Sequence, residues 1–132
     1  MSYKGQPVPS TVHHSYRAKV SDGQSVRVPV PENTEIVAQR FYLIASIFGA
    51  SMQSVKTGEG ETAEVILDIE QAEYETDQID ATKAFAVGDQ IYWDATNSVL
   101  TTTASGNRKV GRVSSPKDAK NVIWFILGPQ IV

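Results

Sequence analysis

The chain has 132 residues, 41% of them hydrophobic and 20% charged, and a formal net charge of −3. That suffices for one packed domain and argues against a disordered tail. It holds no cysteine, which excludes disulfide scaffolds, thiolate zinc sites and Cys nucleophiles and fits a reducing cytosol or a particle assembled there. The mild negative charge argues against direct nucleic-acid binding as the main task. No apolar run approaches the ~20 residues that cross a bilayer, so no membrane partner is expected. The residues after Met1 show no apolar signal core, so no secretory signal is expected either.

Residues 1–24 read as an extended N-terminal arm. Pro7 and Pro9 exclude helix and central strand from its first ten residues. Residues 11–20 place Val12, His14, Tyr16, Ala18 and Val20 at even spacing, which predicts a short strand. Ser21-Asp22-Gly23-Gln24 predicts a turn. One β-barrel-like domain is expected over residues 25–132. Its first strand, residues 25–30, alternates Val26, Val28 and Val30 with Ser25, Arg27 and Pro29, and Pro29 marks it as an edge strand.

Residues 41–48 (Phe-Tyr-Leu-Ile-Ala-Ser-Ile-Phe) carry no charge and have strand length. A single strand broken at Gly49 is expected, with a buried helix as the competing reading. Residues 56–61 read as a turn. Ala63, Val65, Leu67 and Ile69 then alternate with Glu64, Ile66, Asp68 and Glu70, a strand with one mostly acidic face. Residues 71–88 carry no clear period, and a short helical turn near residues 80–85 is the expectation. Strands follow at 90–93, 98–103, 108–114 and 121–127, separated by Asp/Asn/Gly/Pro turns, which together predict a C-terminal meander. The fold class is therefore all-β, a small β-barrel or sandwich with an extended arm.

The strand at 121–127 contains Val122-Ile123-Trp124-Phe125-Ile126-Leu127, apolar on both faces. One face enters the core and the other needs a cover. Ile123, Phe125 and Leu127 are the candidates for a subunit interface. Charge is also unevenly spread. Residues 59–80 hold nine acidic side chains and no basic one. They form either a solvated face with a loop or a surface complementary to a basic patch on a neighbouring subunit.

Catalytic motifs are scarce. Gly58-Glu59-Gly60 lacks the rest of a phosphate loop. His13 and His14 are adjacent, so on a strand they face opposite ways and do not share a site. Glu73, Glu75, Asp77 and Asp80 lack calcium-loop spacing. Trp93, Trp124, Tyr92 and Tyr42 lie in apolar strands, where core packing is the default. A binding or structural module without enzyme activity, cofactor or metal is expected.

Five segments together resemble the capsid cement, or head decoration, proteins of tailed phages. Ala84-Phe85-Ala86-Val87-Gly88-Asp89-Gln90-Ile91-Tyr92-Trp93-Asp94 resembles that family's Gly-Asp-x-Val-Tyr-Trp-Asp strand. The Thr-rich run from Val99 to Thr103 with the following Gly106-Asn107, Val110-Gly111-Arg112-Val113, and the closing strand at Val122 to Leu127 keep its order. Upstream, Ile47-Phe48-Gly49-Ala50 and residues 60–70 resemble two more of its segments. The arm is longer than usual for the family, and Gln39-Arg40 stands where the family has Gly-Asp. The resemblance implies a protein on the outer surface of an expanded icosahedral head, made in the host cytoplasm and stabilising the shell against DNA pressure. It implies two partners, the major capsid protein and further copies of itself, commonly as a homotrimer. Tyr3, Val8, Val12, His13, His14, Tyr16, Arg17 and Lys19 are the arm's candidate capsid contacts. The alternatives are a carbohydrate- or peptide-binding β-domain of a virion or surface protein that uses Trp93 or Trp124, and a small hydrolase that uses His13 or His14.

Overall fold

A computed structural model describes residues 18–132, which form eleven strands and no helix. They are β1 (Ser25–Val30), β2 (Glu35–Ile36), β3 (Phe41–Ile44), β4 (Ile47–Ser51), β5 (Val55–Lys56), β6 (Ala63–Asp68), β7 (Glu73–Thr76), β8 (Gln90–Asp94), β9 (Val99–Thr101), β10 (Arg108–Ser115) and β11 (Ile123–Leu127). A four-stranded sheet has the order β1-β6-β4-β3, a five-stranded sheet the order β7-β11-β10-β8-β9, and β2 pairs with β5. The all-β expectation stands.

β1 and β6 follow their alternation. Val28 and Val30 are buried opposite Val65 and Ala63, while Pro29 and Glu64 face solvent opposite one another. β1 is an edge strand, where the missing N–H of Pro29 costs no ladder bond.

Residues 41–48 differ from expectation. They form a hairpin, not one strand or a helix: β3 turns back into β4 through Ala45 and Ser46, with Ile44 opposite Ile47. Both turn residues have positive φ, 52° and 66°, as a two-residue primed turn requires. Neither is Gly or Asn, so the left-handed backbone costs about 1–2 kcal/mol per residue. Packing on both faces offsets it. Phe41, Leu43 and Phe48 enter the larger core, and Tyr42, Ile44 and Ile47 enter a smaller one built on Val28, Val30, Ile36, Val65 and Leu67. The segment is apolar throughout because it is the wall between two cores. Gly49 does not break it. Gly49 lies within β4, where a Cβ would stand 2.5 Å from the Asp68 carbonyl oxygen.

The C-terminal strands fall close to expectation, but their pairing order differs from a simple meander. β10 leaves β9 and pairs with β8, Arg108 opposite Trp93. The free side of β9 is already taken. Leu100 N–H donates to the Gln78 carbonyl (2.8 Å), and Asp80 N–H donates to the Leu100 carbonyl (2.9 Å), a parallel bridge at Ile79. Residues 78–80 follow β7, which pairs with β11 at the opposite edge. The five-stranded sheet thus curls into a half-barrel whose two edges are linked by one short segment. The expected helical turn at 80–85 is a tight turn, closed by Lys83 N–H on the Asp80 carbonyl, and it delivers Phe85 to the core.

The β3–β4 hairpin closes the half-barrel's concave side. Phe41 packs edge-on against Phe125 at 5.2 Å, and Phe48 lies 5.1 Å from Trp93. Ile123, Phe125 and Leu127 are at most 1% exposed. They belong to the protomer's own core, which corrects their reading as interface candidates. The strand is apolar on both faces as expected, but its outward residues are Trp124 and Ile126. Period two leaves two choices of parity. The indole N–H needs a polar partner, and Trp124 finds one on the outer side, at Glu75.

Candidate interaction surface

Of the large hydrophobic side chains exposed among the described residues, Trp124 and Ile126 are the ones that lie within a strand, on the convex face of β7, β11 and β10. Trp124 and Ile126 are 47% and 48% exposed in the middle of a paired strand. One row across the sheet reads Glu73, Ile126, Arg112, Gln90; Trp124 lies next to Glu75. Lys109, opposite Tyr92, extends the basic side. The face is therefore striped: carboxylates on β7, apolar side chains on β11, cations on β10.

Hydrogen bonds hold the stripes in place. Trp124 Nε1–H donates to Glu75 Oε2 (3.2 Å) and Ser114 Oγ–H to Glu73 Oε2 (2.6 Å). Arg112 donates to the Gly88 carbonyl (2.6 Å). Ser114 sits where the β10–β11 register shifts, and such a bulge re-aims a side chain. At Gly111 a Cβ would stand 2.3 Å from the Ile126 carbonyl oxygen, so only glycine lets β10 approach β11 this closely. A shallow depression runs past Gly111, bounded by Lys109, Arg112, Ile126 and Pro129.

Behind the acidic stripe, the Tyr74 hydroxyl faces Asp68 Oδ1 (3.0 Å) and the Glu70 carbonyl (2.8 Å). Burial, then the Asp68 hydrogen bond and the charges of Asp68 and Glu70, push its pKa above the ordinary value. Asp80, Asp94 and Asp118 cap turns. Hydrogen bonds from Thr82, from Asn97, and from Val122 and Lys120 hold their carboxyls below the usual range. Among the described residues, no cluster of three or more His, Asp or Glu is placed to hold a metal ion. Asp77, considered above as a cation ligand, pairs with Arg40 at 2.5 Å.

Residues 20–128 match a family model described as phage cement protein. The chain belongs to the phage cement protein family. It is a phage capsid-associated protein, and its family places it with the virion capsid. No curated protein matches the chain. Among solved structures it is similar to the head fiber gp8.5 N base in bacteriophage phi29, at 13% identity over 79% of this chain and 94% of that one, with a TM-score of 0.45.

In this cement protein the arm residues Tyr3, Val8, Val12, His13, His14, Tyr16 and Arg17 lie outside the described residues, as does most of the strand expected at 11–20. Lys19 is described: it is exposed and pairs with Asp22 at 2.7 Å. Residues 18–20 form no strand. Trp93 is 4% exposed and offers no sugar platform. The sequence reading missed Glu73, Glu75, Lys109 and Arg112 as parts of one face with Trp124. The acidic run was visible, but its alignment with β10 depends on β11 lying between them.

Proposed function

We propose that this protein binds the outer surface of an expanded icosahedral phage head and stabilises the shell against internal DNA pressure. The family match over residues 20–128 carries this reading. The partners are the major capsid protein and further copies of this chain, as a homotrimer, and the role is structural and not enzymatic. The protein is made in the host cytoplasm and acts on the virion surface. Tyr3, Val8, Val12, His13, His14, Tyr16, Arg17 and Lys19 are the proposed arm contacts with the shell.

The mechanism is linkage. A ligand that prefers the assembled, expanded shell to dispersed subunits adds about 2.7 kcal/mol per site at a hundredfold excess over Kd. Many sites multiply the effect. Heads lacking the protein are expected to lose DNA at lower temperature than decorated heads. Equal survival of bare and decorated heads rejects the stabilising role.

One observation favours a second reading. Trp124 is half exposed beside Glu73 and Glu75, the setting a carbohydrate platform needs. Titration of tryptophan fluorescence with mono- and oligosaccharides tests it, and an unchanged spectrum removes it.

A further inference from the structure

We propose that the convex face of β7, β11 and β10 is where one copy of this chain docks on another, the Glu73/Glu75 row of one copy meeting the Lys109/Arg112 row of the next. This rests on the self-association part of the proposed function and assigns it a surface and an orientation.

Three observations carry it. Trp124 and Ile126 are held half exposed on a strand paired on both sides, so their exposure is a property of the sheet and not of a loose loop. Large apolar side chains grouped on a rigid face, with a polar rim, mark interaction sites. Next, the flanking charges carry no counter-charge: the hydrogen-bond partners of Glu73, Glu75 and Arg112 are neutral groups. The three ion pairs among the described residues are Lys19–Asp22, Arg27–Glu64 and Arg40–Asp77, and none uses Glu73, Glu75, Lys109 or Arg112. β7 and β10 stand two strands apart, ~10 Å, so their backbones are too far apart to place these residues directly opposite one another. Finally, the order acidic, apolar, basic is its own complement when a second copy is turned about the strand direction or set head to tail. Either arrangement lays acid over base while Trp124 and Ile126 meet apolar surface. The opposite orientation lays carboxylate on carboxylate and is disfavoured. One surface that carries both halves of the match identifies the occupant as a second copy. A shell subunit would need only one half.

The test uses the full chain in three charge variants: Glu73→Lys with Glu75→Lys, Lys109→Glu with Arg112→Glu, and all four together. Mass is read by sedimentation at micromolar concentration, with circular dichroism as the check on folding. The wild type is expected to associate. Each double variant is expected to weaken association at least ~10-fold, and the fourfold reversal to restore it. A wild type that stays monomeric to about 100 µM, double variants that associate like the wild type, or a fourfold variant that fails to recover would each overturn the proposal. Decoration of bare heads is scored separately. Double variants that dissociate yet still decorate heads support this face as a contact between copies and leave head binding intact. Double variants that associate normally but no longer decorate assign the face to the shell and overturn the proposal.

Discussion

The side-chain amide of Gln130 stands in for a neighbouring strand at Phe48: its carbonyl oxygen accepts from Phe48 N–H at 2.9 Å and its NH2 donates to the Phe48 carbonyl at 2.8 Å. Gln78 does the same at Phe41, at 2.7 and 3.1 Å. Phe41 and Phe48 stack at 5.7 Å on the two strands of one hairpin. Two glutamines therefore fasten both sides of the β3–β4 hairpin to the half-barrel. Arg108 reinforces one of them by donating to the Gln130 carbonyl (2.8 Å) and Oε1 (3.0 Å) and to the Ser46 carbonyl.

Gln78 is the more buried of the two, and removing its amide strands a buried backbone N–H and C=O. Gln78→Leu is expected to lower unfolding free energy by about 1–3 kcal/mol. Gln130→Leu, at a half-buried site, should cost less. Denaturant titration measures both. Equal, negligible effects would mean that aromatic packing alone holds the hairpin.

These clamps were not legible in the sequence, because an amide that replaces a strand leaves no periodic trace. β1 and β6 were legible because their outer positions are polar, so alternation shows. β7 was not: Glu73-Tyr74-Glu75-Thr76 is four residues inside an acidic run, and the chain on either side of it has no clear period. The Ala45-Ser46 turn carries no glycine or asparagine signal. The parity of β11 was open because both of its faces are apolar. The order and spacing of the family-like segments taken together, two of them upstream of the C-terminal strands, were by contrast enough to point to the family. Only the bridge at Leu100 reveals why β10 must cross to β8.

The parity correction has a measurable consequence. Phe125 is fully buried against Phe41 and Tyr74, so Phe125→Ala is expected to cost about 3–5 kcal/mol. Trp124→Ala removes a half-exposed ring and should change the stability of the dissociated chain by at most about 1 kcal/mol. Thermal or denaturant unfolding at low protein concentration compares them. Similar losses for both would contradict the assignment of faces.

Tyr74 sets a limit on alkaline stability. Its pKa is raised in the folded chain by burial first, then by Asp68 and Glu70, while the unfolded phenol titrates at about 10. Above that pH the unfolded state sheds a proton that the folded state keeps, so stability falls as pH rises. The contribution is fully present below about pH 10 and is lost as pH climbs toward the folded value. Tyr74→Phe removes this dependence. Its stability should decline less steeply than wild type between about pH 10 and 12, as followed by chemical denaturation across that range. Parallel curves would show that Tyr74 ionises as freely folded as unfolded.

The shell contact proposed for residues 1–20 has a direct test. Residues 1–24 contain Lys4, Arg17 and Lys19 against the single acidic Asp22, so the segment is net positive and suits an acidic surface. Pro7 and Pro9 reduce the conformations lost when an extended segment is ordered. Tyr3, Tyr16 and Arg17 are of the residue types that carry most binding energy where a partner buries them, and the proposed shell contact has an extended segment adding to an open sheet edge on a capsid subunit. Residues 18–20, the described part of that segment, are exposed. Val20 is 77% exposed, and the Lys19–Asp22 pair is solvent-facing and so contributes little. Removal of residues 2–20 is therefore expected to leave circular dichroism and oligomer size unchanged while weakening binding to bare heads at least ~10-fold. Quantitative decoration of heads with full and truncated protein measures the difference. If the truncated protein decorates as tightly as the full chain, the shell contact lies on the β-sheet body and the arm has no part in it.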